Sequence, residues 1–115
     1  MKQVFADTAF FLALLNSDDE LHQGAKRLNE NPPGPLLTTQ FVLMEVGDAL
    51  SQPRNRPRFL RLLDLLRQQP DVEIIEASDA LFQQGYRLHA ERADKEWSLT
   101  DCTSLSWSSS TSKTR

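Results

Sequence analysis

Leu36-Leu37-Thr38-Thr39-Gln40-Phe41-Val42-Leu43-Met44-Glu45-Val46-Gly47-Asp48-Ala49-Leu50 decides how the chain is read. Leu36 to Thr38 is a short strand. Thr39 offers a hydroxyl suited to cap a helix, and the helix Phe41 to Leu50 follows. A strand that runs straight into a helix is half of a βαβ unit, and the same order recurs on either side. Toward the amino terminus, the apolar run Gln3 to Ala6 reads as a strand closed by Asp7-Thr8, after which Phe10, Phe11, Leu14 and Leu15 recur at helical spacing. Asn16-Ser17-Asp18-Asp19 breaks that helix. A second follows from Asp19 to about Glu30, with Leu21, Ala25 and Leu28 on one face, and Asn31-Pro32-Pro33-Gly34-Pro35 is loop. Toward the carboxyl terminus, Pro53 and Pro57 bracket an arginine-rich connection. Phe59, Leu62, Leu63 and Leu66 mark an amphipathic helix that stops before Pro70. Val72 to Ile75 is a third strand, and Ser78 caps a helix whose apolar face includes Leu81, Phe82, Gly85, Tyr86 and His89. Strands alternating with helices predict an α/β fold, a parallel sheet flanked by helices.

Length and composition bound what such a fold can do. The 115 residues make one domain. Sixteen acidic residues against thirteen basic give a net charge of −3, which argues against a protein that coats nucleic acid non-specifically. The single cysteine, Cys102, excludes an internal disulfide framework and a cysteine-only zinc site. No apolar run approaches the length of a membrane span, and Asp7 interrupts the first apolar stretch, so no signal peptide and a cytoplasmic location without a membrane partner are expected.

Three carboxylates stand out. Asp7 directly follows the first strand, and in open α/β sheets sites form at the carboxyl ends of strands; it would equally serve as a helix cap. Glu45 has apolar neighbours on both sides, so it needs a cation, a metal or one of the nearby arginines as partner. Asp48, one turn on, is either a supporting group or simply exposed. Asp101 closes Ser98-Leu99-Thr100-Asp101, which has the form of a capping box, and a carboxylate in a first helical turn can also reach toward a cation. Were Asp7, Glu45 and Asp101 to converge, their mutual repulsion would call for a divalent cation between them, and all-oxygen ligands favour Mg²⁺ or Mn²⁺. His22 and His89 show no metal-ligand spacing and are assigned structural or surface roles. Cys102 is read as a small core residue. No P-loop, GxGxxG or nucleophile–base arrangement is present, and a response-regulator-like domain would need a late-strand lysine that is not evident. Arg54, Arg56 and Arg58, with Arg61, form a basic stretch that is either a solvated face or a patch for RNA phosphates.

Composition changes after Cys102. Of the thirteen residues 103–115, six are Ser and three are Thr, against four serines in the preceding 102 residues. The expected division is a domain over residues 1–102 and an irregular Ser/Thr-rich tail over residues 103–115. A shift of reading frame near residue 103 would make such a break, and restoring the frame is expected to yield an apolar helix, then a strand and an Asp.

Val4 to Phe11, Thr38 to Val46, Ile74-Ile75 with its following helix, and Asp94 to Cys102 resemble the PIN domain, and within it the VapC-like ribonuclease toxins of type II toxin–antitoxin pairs. The resemblance implies a PIN-like three-layer fold whose last helix and strand are missing here. It makes Asp7, Glu45 and Asp101 correspond to three of the family's acidic metal-site residues, with Thr8 a hydroxyl neighbour. It implies an endoribonuclease dependent on Mg²⁺ (or Mn²⁺), an RNA substrate, an antitoxin that blocks the cleft, and a homodimer. The family pattern continues into a further helix, strand and fourth acid, whereas residues 103–115 contain no Asp or Glu. The alternative expectation is a truncated, inactive PIN-domain remnant that only binds its antitoxin.

Overall fold

The structure, a computed structural model, describes residues 3–31 and 34–113, with side chains as far as residue 106. Its elements are β1 (Val4–Phe5), α1 (Thr8–Leu15), α2 (His22–Glu30), β2 (Leu36–Thr39), α3 (Gln40–Ala49), α4 (Arg56–Gln68), β3 (Val72–Ile75), α5 (Asp79–Glu91) and α6 (Leu99–Lys113). The strands form a parallel sheet in the order β1-β2-β3. Val4 pairs with Leu36 and Phe5 with Leu37, and β2 pairs with β3 from Leu36 opposite Val72 to Thr39 opposite Ile75. This is the expected α/β architecture, with helices flanking the sheet.

β2 is the central strand, and Leu37, Thr38 and Thr39 are buried in it. Two buried threonines are tolerable because both hydroxyls are bonded. Thr38 Oγ1 donates to Ala6 O at 3.0 Å, which pins the end of β1, and Thr39 Oγ1 accepts from Val42 N at 3.1 Å, the expected helix cap. The core is Ala6, Phe11, Val42, Leu43, Val46, Leu62 and Leu66. α1, α3 and α4 thus meet against the sheet, and Phe10 packs edge-on to Phe11 at 5.4 Å between ring centres. Ser78 caps α5 through Leu81 N at 3.1 Å, as expected.

Several elements differ from expectation. β1 is shorter than Gln3 to Ala6, although Ala6 N still donates to Leu37 O at 2.8 Å. α2 begins at His22 rather than Asp19, because the Asp19 carboxylate accepts from Leu21 N at 2.8 Å and holds a turn instead. On α5 only Leu81 and Gly85 of the expected face are buried, while Phe82, Tyr86 and His89 are exposed. Phe82 and Tyr86 stack on each other, 6.5 Å apart and 7° from parallel.

The largest correction concerns residues 103–115. They do not begin an irregular tail: α6 runs unbroken from Leu99 to Lys113 across the expected boundary, so the helix after Asp101 is present. Cys102, Thr103 and Ser104 are buried, and Thr103 faces Gly85 so closely that a Cβ added there would meet the Thr103 backbone at 2.9 Å. Small side chains let α5 and α6 approach. Thr103 Oγ1 and Ser104 Oγ donate to Thr100 O at 2.6 and 3.4 Å, so the hydroxyls are satisfied within the helix. Among the described residues no strand follows α6. Pro32 and Pro33 of the expected loop, and Thr114 and Arg115, lie outside the described residues.

Candidate active site

The carboxyl end of β1 runs directly into α1, and Asp7 stands at the junction. Its Oδ1 accepts from Phe10 N at 2.8 Å, which makes it the cap of α1. Asp101 stands in the first turn of α6. Its backbone N–H donates to Ser98 Oγ at 3.0 Å while its Oδ2 accepts from Ser98 N at 3.3 Å, a reciprocal capping box. The capping role and the site role are therefore compatible. Each carboxylate spends one oxygen on its helix, and the other, Oδ2 of Asp7 and Oδ1 of Asp101, makes no hydrogen bond among the described residues.

Both residues line one cleft of about 350 Å³, together with Phe5, Trp97, Ser104 and Leu105. The fold joins them across nearly the whole chain: β1 supplies one wall and the start of α6 the other. Beside Asp7, the buried Thr8 Oγ1 has no hydrogen-bond partner. Thr8 does not line the cleft, but its hydroxyl is an uncommitted oxygen on the residue after Asp7.

Glu45 is not among the residues that line the cleft. It sits half-buried on α3, and the only ion pair among the described residues is Arg92–Asp94, so no arginine neutralises it. Asp48 is exposed. No three His, Cys, Asp or Glu side chains among the described residues lie close enough together to cage a metal. The structure thus brings together two of the three expected acids, with an oxygen-only donor set. Mg²⁺ retains several waters and takes one or two protein carboxylates, so Asp7 and Asp101 fit such an ion without a complete cage.

Arg54 is exposed on the α3–α4 connection, Arg56 and Arg58 are exposed in the first turn of α4, which begins inside the expected connection, and none lines the cleft. Arg56 Nε donates to Ser51 O at 2.6 Å. Arg58 and Arg61 instead border a second, larger groove of about 740 Å³ that is lined by Leu14, Leu28 and Leu65 and reaches Leu36 and Val72 at the amino ends of β2 and β3. It therefore lies at the opposite end of the sheet from the carboxylates. His22 Nδ1 lies 2.8 Å from Ala13 O and ties α2 to α1, a structural role as expected. Cys102 is fully buried, and that burial, with the adjacent Asp101 carboxylate adding to it, pushes its thiol above the ordinary range.

Sequence reasoning assigned no role to Trp97, Ser104 or Leu105. The last two fall in the stretch that composition reads as an irregular tail. Trp97 precedes Asp101 by four residues, and that spacing, a large aromatic just before a helix-starting acid, was the available signal.

The sequence pattern of the PIN domain matches residues 4–108. The 23S rRNA-specific endonuclease VapC20 of Mycobacterium tuberculosis, in two strains, is 29% identical over 102 residues, which cover 89% of this chain and 77% of that protein. The crystal structure of Mycobacterium tuberculosis VapC20, a sarcin–ricin-loop-cleaving toxin, superposes with a TM-score of 0.84 at 25% identity, over 96% of this chain and 84% of that one.

Proposed function

The chain belongs to the PIN domain family, and from that membership we propose that it is a metal-dependent endoribonuclease, the toxin of a toxin–antitoxin pair. One observation carries the reading: Asp7 and Asp101, far apart in sequence, line the same cleft at the carboxyl end of β1. The similar VapC20 is an endonuclease specific for 23S rRNA, which supports RNA as the substrate class.

Asp7 and Asp101 would hold a divalent cation, Mg²⁺ or Mn²⁺, through their uncommitted oxygens, with the Thr8 hydroxyl beside Asp7. Such a cation supplies an activated water for attack on a phosphodiester and offsets charge on the leaving oxygen. The two caps fix the rotamers of these carboxylates, so the oxygens are positioned before substrate arrives. Glu45 is the third acid of the proposal. A half-buried carboxylate without a partner is costly, and a nearby cation offsets that cost. Arg54, Arg56 and Arg58 would contact RNA phosphates away from the cleft and contribute affinity only. The antitoxin would cover the cleft, and the toxin would act as a homodimer.

The test is cleavage of ribosomal RNA by the purified chain with Mg²⁺, Mn²⁺ or EDTA. Cleavage with either metal that is lost in EDTA, and lost in Asp7→Asn and Asp101→Asn, is expected. RNA and antitoxin binding with no cleavage under any condition would favour the inactive remnant instead.

A further inference from the structure

The wall of the acid cleft nearest α6 carries an aromatic ring flanked by cations. Trp97 lines the cleft beside Asp7 and Asp101. The Arg92 guanidinium lies 5.3 Å from the centre of its ring and the Lys95 ammonium 5.8 Å. These residues belong to the segment that joins α5 to α6, so the ring and both cations are carried by the backbone that delivers Asp101. The two cations stand among Glu91 at the end of α5 and Asp94 and Glu96 on that segment, and what sets them apart is their placement over the indole.

The two cations are held differently. Arg92 makes two hydrogen bonds to the Asp94 carboxylate, Nε to Oδ1 at 3.1 Å and Nη2 to Oδ2 at 3.2 Å, which fix its guanidinium. Lys95 has no carboxylate partner among the described residues, and its ammonium rests over the indole alone. A cation over an aromatic face at an exposed site is a weak contact. A flat, uncharged ring can take its place on the indole and leave the ammonium free for an anion several bonds away in the same ligand. A nucleotide carries both: a base with a π-face and a phosphate. Aromatic side chains beside cations are the means by which proteins hold single-stranded nucleic acid without reading its sequence.

We propose that Trp97, with Lys95 and Arg92 beside it, is a nucleotide-binding platform that stacks one base of single-stranded RNA against the indole and places the adjoining phosphate at the Asp7–Asp101 cleft. It deepens the endoribonuclease reading and rests on it for the substrate class. Trp97 is a positioning residue here, since it touches the substrate away from the reacting bond.

The experiment measures binding apart from cleavage. The chain has two tryptophans, so Trp107→Phe leaves Trp97 as the only indole reporter, and Asp7→Asn with EDTA suppresses cleavage. A short single-stranded oligoribonucleotide of mixed sequence is titrated while indole fluorescence is followed. Saturable quenching is expected. In the same background, with affinity read from the fluorescence anisotropy of an end-labelled form of that oligoribonucleotide, Trp97→Leu should weaken binding about tenfold or more, Trp97→Phe much less, and Lys95→Gln should lower the salt slope of binding by about 0.7, one single-strand phosphate contact. Absent quenching, or a Trp97→Leu chain that binds as the parent does, overturns the platform. If Trp97→Leu melts early, the quenching titration and the Trp97→Phe and Lys95→Gln affinities decide. Failure of the nuclease reading looks different: the platform binds RNA as expected, yet the parent chain with Mg²⁺ or Mn²⁺ cuts none.

Discussion

Asp7→Asn separates the two tasks of one side chain. The amide keeps an oxygen to accept from Phe10 N, so the helix cap survives, while the charge a cation needs is gone. Melting by denaturant should change by less than about 0.5 kcal/mol, and metal-dependent cleavage should be lost. Asp7→Ala removes the cap as well and should cost a further ~1 kcal/mol of stability. Equal stability of the two variants would remove the cap from this account. Cys102 makes a second prediction, on pH. Its thiol is pushed up by burial, so between the ordinary value of 9.0 and the raised one the unfolded chain has lost a proton that the folded chain retains. Stability is therefore complete below pH 9 and falls as pH rises beyond it. Cys102→Ala should flatten that alkaline fall in melting temperature; an unchanged profile would remove Cys102 as its source. How far the site was legible differs residue by residue. Asp7 and Asp101 were readable because a strand end and a capping box mark where a carboxylate stands. Glu45 was readable as a carboxylate in need of a partner, but its position relative to the cleft depends on how α3 lies against the sheet, which no local pattern encodes. Trp97 gave no periodic signal, since it lies on a connection between helices.

At the scale of elements, the contact between α5 and α6 is the most testable. Gly85→Ala gains up to about 1 kcal/mol of helix propensity, but its Cβ would meet Thr103 Cγ2 at 2.5 Å and the Thr103 backbone at 2.9 Å. Overpacking against backbone costs roughly 1–3 kcal/mol, so the net change should be destabilising, read from denaturant melts. Adding Thr103→Ser removes the methyl clash and leaves the backbone one, so recovery should be partial. A Gly85→Ala chain as stable as the parent would show that α6 does not pack this closely against α5. The arginine-rich connection gives the complementary case. Replacing Arg54, Arg56 and Arg58 with Ala should lower RNA affinity and reduce its salt slope by up to about three contacts, roughly 0.7 each, with cleavage at saturating RNA unchanged, because none of the three lines the cleft. A fall in the saturated rate would place them nearer the chemistry than the structure does. β3 was read to the residue and β2 and α3 to within one, because apolar runs and caps coincide there. The start of α6 is legible in its capping box, but its continuation past Cys102 is not, because it buries small polar side chains whose hydroxyls bond to the helix's own backbone, and a search for apolar spacing is blind to them.

For the whole molecule, metal and stability are linked. A ligand that binds only the folded chain adds about 2.7 kcal/mol at a hundred times its dissociation constant, enough to move the melting temperature of a domain this size by several degrees. Mn²⁺ or Mg²⁺ should raise it and EDTA restore it, and Asp7→Asn should abolish the rise. A rise that persists in that variant would put the cation elsewhere. The shared cleft has one more consequence. Asp7 lies at the junction of the first two elements and Asp101 in the last of the described elements, α6, and synthesis proceeds from the amino terminus. On the ribosome, a partly made chain would display Asp7 early, without its partner acid. On the proposed reading the cleft would be whole only once the turn that carries Asp101 has emerged and closed on β1, so the delay between translation and the onset of cleavage would be set by chain order itself.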